Sequence, residues 1–77
     1  MAVFTGFLTQ VTHSGGKIQS ATVAISGNTF NVILDEVGMD AIRLHRVGER
    51  LMVSVEPGNR VRISPENVPP QFPHPTG

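Results

Sequence analysis

Arg50-Leu51-Met52-Val53-Ser54-Val55-Glu56-Pro57-Gly58-Asn59-Arg60-Val61-Arg62-Ile63 is the stretch whose reading decides the fold class. Across 50–56 the residues alternate, with Leu51, Val53 and Val55 on one side and Arg50, Met52, Ser54 and Glu56 on the other. Successive Cβ atoms of a strand point to opposite faces, so the pattern is that of a strand with one buried side. Pro57 presets φ and Gly58 is free to take positive φ, which makes Pro57-Gly58-Asn59 a turn. Alternation resumes over 60–64, with Val61 and Ile63 inward and Arg60, Arg62 and Ser64 outward. These two segments are therefore read as an antiparallel pair.

Upstream of the pair, Asp35 to Val47 breaks the two-residue period. Met39, Ile42 and Arg46 recur at helical spacing, and Asp40 suits a helix N-terminus, so one or two helical turns are expected, plugging the end of a barrel. Before that lie three alternating segments. The first, 3–12, places Val3, Thr5, Phe7, Thr9 and Val11 opposite Phe4, Gly6, Leu8 and Gln10, so both faces are partly apolar. Such a strand is central or curled, and Gly6 within it signals a bulge or a close backbone approach. His13 to Lys17 reads as a turn. Segment 18–26 gathers Ala21, Val23 and Ile25 on one face; Ser26-Gly27-Asn28 is a hairpin connection; segment 29–34 gathers Phe30, Val32 and Leu34. Phe4, Phe7 and Phe30 sit in the most apolar stretches and are assigned to the core.

Composition agrees. Val, Ile and Thr supply 21 residues against eight Ala and Leu, and branched Cβ atoms suit a pleated surface. Five of the six Pro fall between residues 65 and 75, where the missing N–H bars a further interior strand. Residues 1–64 thus read as one domain and 65–77 as a polyproline-like tail. The order strand–strand–strand–short helix–strand–strand is that of an all-β, five-stranded OB-like barrel, with an SH3-like barrel as its competitor.

The function classes narrow quickly. The six basic and six acidic side chains balance, which removes the usual electrostatic signature of a phosphate-backbone binder. With no Cys, thiolate metal sites, disulfides and Cys nucleophiles are excluded. No apolar run approaches the roughly 18 residues of a membrane span. The opening Met1-Ala2-Val3-Phe4 lacks a basic segment of the export type, so the expectation is a cytoplasmic protein. His13, His45 and His74 show no metal spacing, and no nucleophile elbow, phosphate loop or dinucleotide fingerprint is present. The chain is expected not to be an enzyme and to carry no cofactor or metal. Ser14, Gly15, Gly16 and Lys17 offer N–H groups and one cation to a small anion, or else form a plain hairpin turn. Arg43, Arg46, Arg50, Arg60 and Arg62 define an alternative, an OB-type single-stranded nucleic-acid surface, although interleaved carboxylates make a solvated face the default. Phe72, isolated among prolines, is assigned to a contact with the barrel or a neighbouring subunit.

Two stretches carry a resemblance. Gly6-Phe7-Leu8-Thr9-Gln10-Val11 followed by Gly15-Gly16 resembles the opening of TOBE and molbindin-type (Mop-like) oxyanion-binding domains. Asp40-Ala41-Ile42-Arg43-Leu44-His45-Arg46-Val47-Gly48-Glu49-Arg50-Leu51-Met52-Val53-Ser54-Val55 is similar to their second half, and Val61-Arg62-Ile63 to their closing strand. The resemblance covers roughly residues 4–64 and implies an OB-like barrel, a homo-oligomer and a bound oxyanion. The ligand positions depart from it. Asp35-Glu36-Val37-Gly38 stands where neutral donors are expected, and Glu56 where a Lys is expected. Three carboxylates near a dianion repel it. The resemblance therefore implies the fold and the assembly while the residues argue against molybdate. The combined reading is a non-enzymatic binding or assembly module, homo-oligomeric, with a small anion as candidate ligand, nucleic acid as a weaker partner and no membrane.

Overall fold

Antiparallel pairing joins the first three strands of the computed structural model, which describes residues 2–68. They are β1 (Phe4–Ser14), β2 (Lys17–Ile25) and β3 (Asn28–Val32), followed by helix α1 (Glu36–Leu44), β4 (Arg50–Glu56), β5 (Arg60–Ile63) and a 3₁₀ turn at Pro65–Asn67. The strands close in the order β1-β2-β3-β5-β4, with β3 and β5 parallel and every other pair antiparallel. A helix between β3 and β4 and a parallel β3–β5 seam make this an OB-like barrel, as the element order led us to expect. No described helix is long and apolar enough to cross a membrane.

Leu8, Val23, Leu51, Val53, Val61 and Ile63 fill the barrel, each at most 1% exposed. At about 1.5–3 kcal/mol for each large side chain taken from water, this column is the main source of cohesion. Its geometry depends on an irregularity in β1. Leu8 pairs with Val23 but Gln10 pairs with Thr22, so Thr9 is the extra residue of a bulge. The bulge reverses the alternation. Gly6 and Leu8 face inward before it, and Val11 packs against the core after it. Gly6 itself marks a close approach, because a Cβ there would collide with the Val23 side chain.

Three core assignments are corrected. Phe7 is 48% exposed because it precedes the bulge on the outward register, opposite Ala24 and Arg50. Phe4 (43%) and Val55 (43%) have inward parity but lie at or next to a strand end, where they stay exposed. Phe30 does pack against the core.

The helix also differs from its expected form. It begins earlier than Asp40. Asp35 is the N-cap, its Oδ1 accepting the Gly38 N–H at 2.8 Å. Gly38, Ala41 and Ile42 form the buried stripe, while Arg46 lies beyond the C-terminus. Turns are tighter than the sequence suggested as well. His13, Ser14 and Lys17 belong to strands, and only Gly15 and Gly16 (φ 59° and 81°) form the β1–β2 connection. Both residues at positive φ make this a type I′ hairpin turn, matched to strand twist.

The start of the expected proline tail folds back onto the barrel. Asn67 Oδ1 accepts the Met52 N–H at 2.9 Å, and Asn67 Nδ2 donates to the Met52 and Ser64 carbonyls at 2.7 and 2.8 Å. Its amide thereby imitates a short strand beside β4. Val68 packs against the core. Phe72 lies outside the described residues.

Candidate functional site

Between the β1–β2 turn and α1 runs an open groove of about 830 Å³. Val11, Ile18, Met39, Ile42 and Val47 supply its apolar lining, and Gly16, His13, Lys17, Arg43 and His45 its polar rim. Each wall has a local cause. The bulge at Thr9 turns Val11 inward. A second register shift, where Thr12 pairs with Ser20 but His13 pairs with Ile18, lays His13 and Ile18 side by side at the hairpin end. Met39, Ile42 and Arg43 stand three and four residues apart on α1, and so share a helix face.

Helix α1 ends in a way that fixes His45. Its backbone N–H and its ring Nδ1 both reach the Ala41 carbonyl, at 3.0 and 2.9 Å. A carbonyl only accepts, so Nδ1 carries the proton and Nε2 is the free nitrogen. That nitrogen accepts in the neutral ring and donates in the cation.

Charge in the groove is one-sided. Lys17 forms no ion pair with a described residue. Arg43 meets Asp40 at 3.1 Å, the arginine side chain 60% exposed and the aspartate half-buried. Such surface pairs are worth about 0–1 kcal/mol, so the guanidinium remains available to a ligand. Among the described residues, no carboxylate lines the groove.

The expected site residues are divided by the structure. Gly16 and Lys17 line the groove; Ser14 and Gly15 do not. Of the five arginines, only Arg43 reaches it. Arg46 and Arg50 are exposed nearby in sequence, the Arg46 N–H being held by Glu49 Oε1 at 3.2 Å. Arg62 is engaged elsewhere, donating to Glu56 Oε2 at 2.7 Å and Asp35 Oδ2 at 2.9 Å. The hydrogen bond from Arg62 holds the Glu56 carboxyl below its ordinary pKa, against a smaller opposing effect of desolvation. The same bond raises the Arg62 pKa. Arg60 Nε sits 3.5 Å from the Pro57 carbonyl.

The face usually used by OB barrels is built differently here. Buried Ala21, Val23 and Ile25 put Ser20, Thr22 and Ala24 on the outside of β2, and β3 adds exposed Thr29 and Asn31. Thr9 and Thr22 hydroxyls pair at 2.7 Å across this face. The ring it presents is Phe7 of β1, exposed and opposite Ala24. Phe7, beside Arg50, is the exposed ring closest in register to a cation.

His13, Met39, Ile42, His45 and Val47 were not singled out as site residues in the sequence. They come from segments up to three dozen residues apart, joined only by the fold; the one local clue is the four-residue step from Ala41 to His45. Comparison with family models, curated proteins and solved structures returns no match, so the functional reading rests on this geometry.

Proposed function

We propose that the chain is a non-enzymatic OB-like binding module that takes an anion in the groove between the β1–β2 turn and α1. One observation carries the reading. Lys17, Arg43, His13 and His45 line one concavity without a carboxylate among its described lining, in a chain whose acidic and basic residues balance. Concave sites of one sign concentrate field and raise the local concentration of the opposite charge. The lining offers imidazoles but no hydroxyl or carboxylate side chain for His13 or His45 to work with as nucleophile or orienting partner, which supports binding over catalysis.

Amide chemical shifts test the proposal. Titration with sulfate, acetate or octanoate is expected to move the Gly16, Lys17 and Arg43 signals, and the Lys17→Ala/Arg43→Ala double variant to lose that response. Silence at those amides with every anion, or an unchanged response in the double variant, would overturn it.

A second reading, single-stranded nucleic acid, is favoured by exposed Phe7 next to Arg50. A labelled oligonucleotide would then perturb Phe7 and Arg50, with affinity falling steeply as salt rises. Homo-oligomerisation is favoured by the exposed Val3, Phe4 and Val55 on so small a chain. Solution mass by light scattering tests it, a monomer at high concentration being the contrary result.

A further inference from the structure

Resting on the anion-binding reading, we infer that the ligand is an amphipathic organic anion: a carboxylate or phosphate monoester bonded to an apolar body. Its acidic head lies between Lys17 and Arg43, and its hydrocarbon over Ile18, Met39, Ile42 and Val47.

Size is the first argument. Grooves of roughly 300–1,000 Å³ suit organic ligands. A bare tetrahedral oxyanion would leave most of about 830 Å³ filled with water. Chemistry is the second. Inorganic ions need converging donors and gain nothing from aliphatic walls, yet half of the lining residues are aliphatic or thioether side chains. Val47 is 59% exposed, so the groove holds apolar surface that a hydrocarbon would cover and water cannot satisfy. Met39 adds an unbranched, polarizable side chain that conforms to varied shapes. Placement is the third. Lys17 stands on the hairpin wall and Arg43 on the helix wall, so the two cations of the lining come from opposite walls, an arrangement that suits a head group placed between them.

The test uses the whole chain and compares ligands by amide shift titration. Octanoate is expected to saturate the Gly16, Lys17, Ile42 and Arg43 signals, and each methylene from butyrate to octanoate to tighten binding by up to about fourfold. Hexyl phosphate should act on the same signals. Met39→Ser should weaken octanoate and leave acetate unchanged, whereas Lys17→Ala should weaken both. Both positions are outside the fully buried core, and each variant's dispersed spectrum reports its fold.

Sulfate or acetate matching octanoate would overturn this inference and leave the anion reading standing. Octanamide matching octanoate would overturn both, since charge would then contribute nothing. Octanoate acting at Phe4 and Val55 instead of the groove would also overturn the inference. Phosphatidylglycerol vesicles distinguish a lipid head group from a free ligand: retention on vesicles with no response to octanoate would overturn it in favour of a membrane source.

Discussion

Replacing Asn67 by Ala should destabilise the barrel by about 2 kcal/mol, although the residue lies beyond the last strand. Three hydrogen bonds are lost, but they are not equivalent. The Met52 carbonyl keeps a second partner, the Ser64 N–H at 2.9 Å. The Met52 N–H keeps none of its described partners once Asn67 Oδ1 is gone. An orphaned, part-buried donor costs about 1–3 kcal/mol, and each replaceable bond about 0.5–1.5. Partial exposure lets water recover some of this, which places the sum near 2 kcal/mol and the fall in Tm at roughly 10 °C for a domain of this size. Thermal and urea unfolding measure it. Asn67→Asp separates hydrogen bonding from packing. Its carboxylate can accept from Met52, but its other oxygen faces two carbonyls 2.7 and 2.8 Å from the present Nδ2. The charged form is disfavoured, so the folded-state pKa rises above the unfolded value. Stability of that variant is then greatest below the unfolded pKa and declines as pH rises through the folded one. Two results refute the reasoning: Asn67→Ala unfolding within about 0.5 kcal/mol of the parent, or Asn67→Asp equally destabilised in acid and at neutral pH.

Glu56→Gln should flatten the acid limb of the stability profile. Arg62 depresses the Glu56 pKa, so that carboxylate stabilises the fold above its unfolded pKa and ceases to as pH falls through the folded one. Urea midpoints of parent and variant are expected to differ at about pH 7 and converge near pH 2. Gly38→Ala should destabilise by about 1–3 kcal/mol despite the helix preference for Ala, because the new Cβ would stand 2.5 Å from the Ile33 carbonyl oxygen. Calorimetry checks it, and a stabilised variant would mean that the Ile33–Gly38 packing is looser than the structure has it.

Much of this fold is legible in the sequence because β2 and β5 alternate cleanly and each has one dry face. Ala21, Val23 and Ile25 occur at every second position, and so do Val61 and Ile63. Alternation misleads where the backbone breaks its own period. The extra residue at Thr9 lets Leu8 and Val11 share an interior despite opposite parity, and leaves Phe7 outside. It misleads also at strand ends, where parity still points Phe4 and Val55 inward although each stays 43% exposed. The helix start was hidden by competition between two aspartates. Asp35 wins because its carboxylate reaches the Gly38 N–H, a choice that periodicity in Met39 and Ile42 could not decide. The groove was least legible. Its cations meet only after a two-residue turn and a nine-residue helix are folded against each other.

The carboxylates that depart from the oxyanion-binding pattern have a place in this account. Asp35 is used twice: Oδ1 caps α1 and Oδ2 accepts from Arg62, which also grips Glu56. This ties the first turn of α1 to β5 and β4. At the other end of the helix, the Ala41 carbonyl is held by the backbone N–H and the ring Nδ1 of His45. Ala41 and Ile42 meanwhile anchor the middle in the core, at 0% and 4% exposure. A helix of nine residues is marginal alone, and these contacts are what give it one position. Met39 and Arg43 ride on that helix, so the acidic residues that would repel an anion at their own locations also set the wall against which the groove receives one. Loosening the wall therefore gives a discriminating consequence: Arg62→Ala, which leaves every groove side chain in place, should weaken octanoate binding through the helix, and an affinity equal to that of the parent would show that the groove does not depend on how α1 is tied down.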